Sequence, residues 1–230
     1  MSQLSSKQCY QQFKKNLNEV EQHFGRKPGS VQVIAVSKGQ SIQSIEGLAQ
    51  WGQMLFAENY LQESLLKIIS LSDLPLQWHF IGGIQGNKIQ KISQYFSWVH
   101  SLCDIKTARK FNDAREKSGQ GTLQVCLQIN LDQESTKSGL EKGSVLHVAQ
   151  QLRSLSHLHL RGIMVLPKTS VDFDQQRQTF KRACWIFEHL KQAGFEVDTL
   201  SMGTSRDFIA AIAEGATHIR VGEALFGPRK

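Results

Sequence analysis

The run VQVIAVSK occupies residues 31–38 and predicts a strand that ends at a lysine. Five of its first six residues are apolar and most are β-branched, as in a buried parallel strand. Lys38 has no packing reason to follow them, because an amine is costly to bury. A buried lysine is suited to bonding covalently with an aldehyde carbon. The alternative is a surface lysine that follows the strand by chance.

An alternation of strand and helix continues from this run towards the C-terminus. The predicted strands are Val31–Val36, Met54–Ala57, Gln77–Ile81, Trp98–Ser101, Leu123–Asn130, Leu158–Leu166, Thr199–Ser201 and His218–Val221. The predicted helices between them are Ile42–Gln50, Tyr60–Ser70, Asn87–Gln94, Ile105–Lys117, Lys142–Leu152, Phe173–Gln192 and Arg206–Glu214. Eight such units over about 200 residues favour an α/β fold, a (β/α)₈ TIM barrel. A doubly wound open sheet is the alternative, although no GxGxxG motif follows the first strand.

The segment before the first strand predicts an extra N-terminal helix within residues 1–28. Apolar side chains recur there at spacings of three and four, the pattern of one helix face: Tyr10, Phe13, Leu17, Val20 and Phe24. Gly25 and the Pro28-Gly29 pair end the pattern. No linker or low-complexity segment interrupts the rest of the chain. We therefore expect residues 1–230 to form a single domain.

The composition of the sequence indicates in which compartment the protein works and which classes of partner it binds. The net charge of +7 attracts anions, so we considered nucleic acid, but no aromatic-interleaved basic motif supports it. The four cysteines are too far apart for a zinc site and favour a reducing cytoplasm. Neither a signal peptide nor a membrane-spanning run is evident. We expect a cytoplasmic protein without nucleic-acid or membrane partners.

Unusual residues fall where the predicted strands end, which is the functional rim of a TIM barrel. They are Lys38, Asn59, the segment Ser201, Met202, Gly203, Thr204 and Ser205, and then Arg220 and Gly222. Hydroxyls and backbone N–H groups before a helix make a good anion cradle, and glycine lets a ligand approach the backbone closely. Arg220 lies between apolar residues and therefore needs a partner.

Simpler interpretations exist for several of these residues. The Ser201–Ser205 segment is also compatible with an ordinary helix cap, and Asn59 with a turn. His79 lies within a predicted strand and is interpreted as a hydrogen-bonded core histidine. No histidine spacing predicts a metal site. Taken together, however, a lysine, an anion cradle and an arginine on one rim would suit a phosphorylated aldehyde.

The residues on this rim resemble those of a known family. The segments that carry the likeness are Ala35–Lys38, Phe56–Tyr60, Trp78–Gly82 with Gln85 and Asn87-Lys88, Gln128–Asn130, Lys137–Gly139, Ser201–Gly203 with Ser205 and Asp207, and Arg220–Gly222. In order and spacing they resemble the pyridoxal phosphate homeostasis proteins of the YggS/PROSC type. The resemblance runs from about residue 5 to the C-terminus.

The resemblance implies a barrel of the alanine racemase N-terminal type that binds pyridoxal 5′-phosphate (PLP) as an internal aldimine on Lys38. It also implies that Arg220 faces the pyridine nitrogen. Since a guanidinium keeps its proton, that pairing favours an unprotonated ring nitrogen and weakens the cofactor as an electron sink. The sequence ends nine residues after the last predicted strand, so we expect no second racemase domain with its catalytic tyrosine.

These implications favour a role in intracellular PLP homeostasis over efficient catalysis. The protein would carry or regulate the cofactor, as a monomer, and exchange it with PLP-dependent apoenzymes or PLP-producing enzymes. The alternative is a weak PLP-dependent amino-acid racemase or a related enzyme. Four positions depart from the family pattern, namely Ala57, Gly83, Gly86 and Thr204, of which Thr204 is a candidate extra phosphate donor.

Overall fold

A computed structural model describes residues 6–132 and 138–227, and within them eight parallel strands close into a barrel in chain order. The strands are β1 Gln32–Val36, β2 Leu55–Glu58, β3 Gln77–Phe80, β4 Trp98–Leu102, β5 Leu123–Ile129, β6 Leu158–Val165, β7 Thr199–Ser201 and β8 His218–Val221. Strand β1 pairs with both β2 and β8. This closure confirms the predicted TIM barrel, and the open-sheet alternative is wrong.

Helices surround the barrel and follow its strands. They are α1 Ser6–His23, α2 Ile42–Gln50, α3 Leu61–Ser70, α4 Ile89–Tyr95, α5 Ile105–Ser118, α6 Val145–Leu152, α7 Phe173–Gln192, α8 Phe208–Ala213 and α9 Glu223–Phe226. The predicted bounds of α2 and α7 agree with the structure. Helices α4 and α6 begin later than predicted, because 3₁₀ turns at Gly86–Lys88 and Lys142–Ser144 precede them. The sequence did not predict α9, which spans four residues.

The side chains of β8 alternate between the outer core and the barrel interior. Ile219 and Val221 are fully buried in the main core, which lies between the strands and the helices. His218 and Arg220 alternate with them, as successive side chains of a strand must. They project into the barrel interior, where His218 lies 6.0 Å from the Trp98 ring. Alternation thus explains why an arginine interrupts an apolar run.

Helix α1 packs on the outside of the barrel between α2 and α8. Its Tyr10 and Phe13 rings lie 6.0 Å from Trp51 and 5.4 Å from Phe208, respectively. The predicted N-terminal helix is confirmed over Ser6–His23, and Gly25 at φ 68° follows its end. Residues 1–5 lie outside the described part, so the predicted bounds of the segment 1–28 are only partly observed.

The helices and strands of the described residues share one main core. The assignment of residues 1–230 to a single domain stays a prediction. None of the described helices combines the length and the apolar character needed to cross a membrane. Lys137, part of one segment that resembles the family, lies outside the described residues.

Candidate functional site

A cavity of about 250 Å³ opens at the carboxyl ends of the strands. Its lining comes from β1, β6 and β8, from the start of α9 and from the loops that follow several strands: Val36, Lys38, Asn59, Ile81, Met164, Leu166, Thr204, Ser205, Arg206, Arg220, Gly222 and Glu223. Six of the nine residues predicted from the sequence are among them. The structure therefore brings Lys38, Arg220 and part of the predicted anion cradle to one pocket.

Lys38 is half-buried in this wall, and the backbone on both sides of it is held by charged side chains. The Lys67 amine donates a 2.7 Å hydrogen bond to the Ser37 carbonyl oxygen. The Gly39 N–H donates a 2.6 Å hydrogen bond to Glu63. Lys67 and Glu63 themselves form an ion pair of 2.5 Å. The exit of β1 is thus fixed at the residues before and after Lys38.

Glu58, at the end of β2, completes this cluster. It is fully buried, and its Oε1 atom accepts hydrogen bonds of 2.6 Å from the Ser37 hydroxyl and 2.8 Å from the Lys67 amine. Burial raises the pKa of the Glu58 carboxyl, and the bonds from Lys67 and Ser37 offset part of that rise. Its Oε2 atom has no hydrogen-bond partner among the described residues. Sequence analysis did not assign this carboxylate or Lys67 a role.

Arg220 is buried between two fixed acceptors at the base of the cavity. Its Nη1 atom donates to the Ser201 hydroxyl and its Nη2 atom to the Val165 carbonyl oxygen, both at 2.8 Å. Burial lowers the pKa of the guanidinium to about 10, and the Asp207 carboxylate opposes that shift. Arg220 therefore stays cationic at neutral pH. The partners that a buried arginine needs are supplied by the protein itself, namely the Ser201 hydroxyl and the Val165 carbonyl oxygen.

The segment after β7 divides between the core and the cavity. Ser201 and Met202 are fully buried, and neither they nor Gly203 line the cavity. Gly203 adopts φ +93°, and a Cβ atom there would lie 2.7 Å from the Ala211 side chain, so only glycine fits. The cavity is lined instead by Thr204 and Ser205.

Thr204 uses its predicted donors within the protein. Its backbone N–H and its hydroxyl both donate to Asp207 Oδ1, at 2.6 and 2.7 Å. The same carboxylate opposes the lowering of the Arg220 pKa, so it links the loop to the arginine electrostatically. The prediction that Thr204 adds a phosphate donor is therefore limited by this competing acceptor, whereas Ser205 also faces the cavity.

Asn59 and Gly222 line the cavity at the ends of β2 and β8, the two strands that pair with β1. The Asn59 Oδ1 atom is buried and has no hydrogen-bond partner among the described residues, which leaves it available to a ligand. A Cβ atom at position 222 would lie 3.2 Å from the Val36 carbonyl oxygen. Glycine therefore lets β8 lie close to β1 at the cavity.

Sequence analysis missed the apolar walls and two charged residues of the cavity. Val36, Ile81, Met164 and Leu166 provide the apolar surface, and Arg206 and Glu223 the charges. Val36 precedes Lys38 by two positions and Leu166 follows Met164 by two. Strand alternation predicts that such residues share a face, and this was the signal that could have found them.

Two larger cavities lie away from Lys38 and Arg220, whereas one of about 270 Å³ shares Asn59, Ile81 and Leu166 with the rim cavity. A groove of about 560 Å³ runs between α4 and α5, and one of about 450 Å³ lies beside Trp185 on α7. Neither is lined by Lys38 or Arg220. Within residues 6–132 and 138–227, no group of three or more His, Cys, Asp or Glu side chains could hold a metal ion.

Comparison with known proteins identifies the family. The model of the family "Alanine racemase, N-terminal domain" matches residues 9–230. A pyridoxal phosphate homeostasis protein of Pseudomonas aeruginosa is 42% identical over 213 residues, which cover 93% of this chain and 91% of that protein. The chain belongs to the pyridoxal phosphate homeostasis family. The resemblance seen in the sequence is thereby confirmed.

Solved structures agree with this membership of the pyridoxal phosphate homeostasis family. PipY of Synechococcus elongatus, solved with PLP bound, is 33% identical with a TM-score of 0.81, covering 92% of this chain and all of that one. An alanine racemase of Clostridium difficile has a TM-score of 0.74 at 15% identity, and this chain covers 56% of its length. At that identity the racemase shows the shared barrel alone, which confirms the predicted fold type.

Proposed function

We propose that the rim cavity binds PLP and that the protein carries or regulates this cofactor within PLP homeostasis. The observation that supports this most directly is the juxtaposition of Lys38, Arg220 and Ser205 in one cavity with apolar walls. The names of its relatives and the PLP bound to PipY support the same ligand. PLP supplies an aldehyde that condenses with amines and a ring that can accept electrons from bonded carbon.

The residues present fit the parts of this cofactor. The Lys38 amine is the candidate for bonding to the aldehyde carbon, with loss of water. The apolar side chains of Ile81 and Met164 would suit contact with an aromatic ring. The unpartnered Asn59 Oδ1 atom can accept a hydrogen bond from a hydroxyl. The phosphate suits Ser205 and the close backbone approach at Gly222.

The cluster around Lys38 supports a binding role more than a catalytic one. Lys67 and Glu63 hold the backbone at Ser37 and Gly39, which orients the lysine towards the cavity. Arg220 stays cationic and keeps its protons, so it favours an unprotonated ring nitrogen and weaker electron withdrawal. A protonated ring nitrogen would withdraw electrons more strongly and stabilise a carbanion on the substrate better. A weak racemase-like activity is the second candidate function, favoured by the racemase-like barrel.

Borohydride trapping tests the attachment at Lys38. The protein loaded with PLP is reduced, digested and mapped by mass spectrometry, and we expect one pyridoxyl adduct, on Lys38. Lys67→Arg keeps a buried cation beside the site and should still label at Lys38, whereas Lys38→Ala should abolish the adduct. A PLP-treated wild-type protein with no adduct, or with one only on another lysine, contradicts the proposal.

Turnover separates the carrier from the enzyme. Rates of racemisation and transamination of several amino acids by the loaded protein should stay within about tenfold of those with free PLP, far below the accelerations of about a millionfold or more that enzymes reach. A rate well above that range would favour the second candidate.

The cellular setting and the partners also belong to this proposal. Cys9, Cys103, Cys126 and Cys184 are free thiols, in keeping with the reducing cytoplasm expected from the sequence. We propose exchange of the cofactor with PLP-dependent apoenzymes or PLP-producing enzymes by a monomeric carrier. Light scattering of the purified protein, and transfer of PLP to an apoenzyme, test these two points. The absence of a nucleic-acid partner stays a prediction.

A further inference from the structure

A continuous row of hydrogen bonds crosses the barrel interior from Arg220 to the opposite end of the barrel. The Ser201 hydroxyl, which accepts from Arg220, lies 3.1 Å from His100 Nδ1. His100 Nε2 lies 2.9 Å from His79 Nδ1, and His79 Nε2 lies 3.1 Å from the Gln77 side-chain oxygen. The strands β8, β7, β4 and β3 each contribute to it.

Both histidines of this row are uncharged. His79 and His100 are fully buried, and burial lowers the pKa of each well below its usual value. A positive charge on His79 would also be repelled by His218, and one on His100 by His79, Arg220 and His218. A neutral imidazole has one donor nitrogen and one acceptor nitrogen.

Neutral rings give the row a single direction. Gln77 offers His79 an oxygen, so His79 carries its proton on Nε2 and accepts at Nδ1. His100 then donates from Nε2 and accepts at Nδ1, where the Ser201 hydroxyl donates. Ser201 donates its one hydroxyl hydrogen to His100 and therefore presents only lone pairs to Arg220. Every donor therefore points away from the cavity.

The direction of the hydrogen bonds in the row determines how the Arg220 guanidinium is held. Two of the five N–H groups of an arginine are occupied, by Ser201 and by the Val165 carbonyl oxygen. A serine hydroxyl without His100 could rotate and compete as a donor. With His100 in place, Ser201 is a fixed acceptor, and the guanidinium is held in one plane with its remaining donors free for the cavity.

We propose that His79 and His100 are positioning residues, which act through Ser201 to hold Arg220 against the ring of the bound cofactor. The inference rests on the proposed PLP binding and deepens it. It makes two histidines on the far side of the barrel determinants of cofactor affinity and of the environment of the ring nitrogen.

The direction of the row is tested in the cofactor-free protein. A ¹⁵N–¹H correlation spectrum of the histidine side chains should assign His79 and His100 as neutral rings protonated on Nε2. The Gln77 side chain, if turned over, would reverse the row and place both protons on Nδ1. That pattern, or a charged ring at neutral pH, overturns the inference whether or not the protein binds PLP.

The action through Ser201 is tested by a double-mutant cycle on PLP affinity. His100→Leu and Ser201→Ala should each weaken PLP binding by about tenfold, the size of one lost hydrogen bond to a charged group. Because both act on the same bond to Arg220, the double variant should bind no more weakly than Ser201→Ala alone. Additive losses would overturn the proposal.

The control is His218, a partly buried histidine that forms none of the hydrogen bonds of the row. His218→Gln alters the same interior layer, beside Trp98, where His218 Nδ1 meets the Thr217 hydroxyl at 2.9 Å. We expect it to leave PLP affinity unchanged. With ¹⁵N-labelled PLP bound, the ring-nitrogen chemical shift should move in His100→Leu and stay in His218→Gln, a readout that loss of stability alone would not move.

The outcomes separate this inference from the proposed function. Wild-type protein that fails to bind PLP contradicts the proposed function, while the histidine spectrum still decides the direction of the row. Wild-type protein that binds PLP, together with folded His100→Leu that has unchanged affinity and ring-nitrogen shift, contradicts only the inference. Ser201→Ala removes a single hydroxyl and keeps the test valid if His100→Leu does not fold.

Discussion

At the scale of single residues, the site depends on buried charges that are held by one another. Lys67 is 4% exposed, and its amine contacts Ser37, Glu58 and Glu63. A buried ion pair adds little net stability over an apolar pair, but removing one partner leaves an uncompensated charge. The cluster therefore orients Lys38, and removing one of its charges should cost much of the stability of the fold.

Lys67→Met should lower the free energy of unfolding by about 3–5 kcal/mol, because Glu58 is left buried with one donor. Urea unfolding followed by circular dichroism measures the loss. Lys15→Met is the control, since Lys15 forms an exposed pair with Glu19 at 3.9 Å and should change the stability by under about 0.5 kcal/mol. A second change, Glu58→Gln, should recover part of the loss. Equal effects of Lys67→Met and Lys15→Met would contradict this account of the cluster.

Two residues of the site were predictable from the sequence because a charge there is out of place. Lys38 and Arg220 stand out because charged side chains interrupt or end apolar strands. His79 was interpreted as a hydrogen-bonded core histidine, and both of its ring nitrogens have partners. Its connection to Arg220 was not predictable, because it depends on how four strands face one another inside the barrel.

At the scale of elements, α1 is joined to the start of β1 by one buried carboxylate. Glu21 is fully buried and accepts hydrogen bonds of 2.7 Å from the backbone N–H groups of Gly29 and Val31, and one of 3.1 Å from the Ser30 hydroxyl. The helix thus fixes the loop that leads into the strand of Lys38. The sequence predicted the helix from its apolar stripe, but Glu21 looks like any polar-face residue there.

Glu21→Gln should destabilise the protein by about 2 kcal/mol, because an amide group replaces an oxygen that accepts from a backbone N–H. The matched control is Glu19→Gln, which changes an exposed carboxylate on the same helix and should cost under about 0.5 kcal/mol. Thermal and urea unfolding of both variants give the comparison. A Glu21→Gln protein as stable as the Glu19→Gln protein would show that the carboxylate does not couple α1 to β1.

Element boundaries were predictable where local signals are strong. Helix α2 begins after Ser41, whose hydroxyl accepts from the Ser44 N–H, and α7 begins after Asp172, whose carboxylate accepts from the Gln175 N–H. Helix α4 has no side-chain cap and follows a 3₁₀ turn, so its start was placed two residues early. Helix α9 is too short to show a periodic pattern.

At the scale of the whole molecule, the barrel interior differs from the outer core in kind. The outer core is apolar and continuous, and its patterns in the sequence predicted the closed barrel. The interior combines the small apolar cluster of Trp98, Cys126 and Met164 with the buried His79, His100 and Arg220 and the partly buried His218. Neutral histidines in such a layer make the stability of the fold depend on pH.

The sign of this dependence follows from the histidine pKa values. Burial lowers the pKa of His218 to about 4, against an opposing effect of Asp198, while Arg161 and Arg220 lower it further. Burial lowers the pKa values of His79 and His100 as well. The unfolded chain therefore binds more protons than the native state below about pH 6.5. The stability that these groups contribute is present above that pH and is lost as the pH falls towards 4.

Replacing His218 should reduce that loss by a measurable amount. Between pH 6.5 and pH 5, a histidine whose pKa is about 6.5 in the unfolded chain and about 4 in the native state accounts for about 1.6 kcal/mol. The fall in unfolding free energy over this interval, from urea titrations, should thus be about 1.6 kcal/mol smaller in His218→Gln than in the wild type. His189→Gln changes an exposed histidine and should match the wild-type fall. If His218→Gln matches it too, the native state admits a proton at His218, and the interior is more accessible to solvent than its burial indicates.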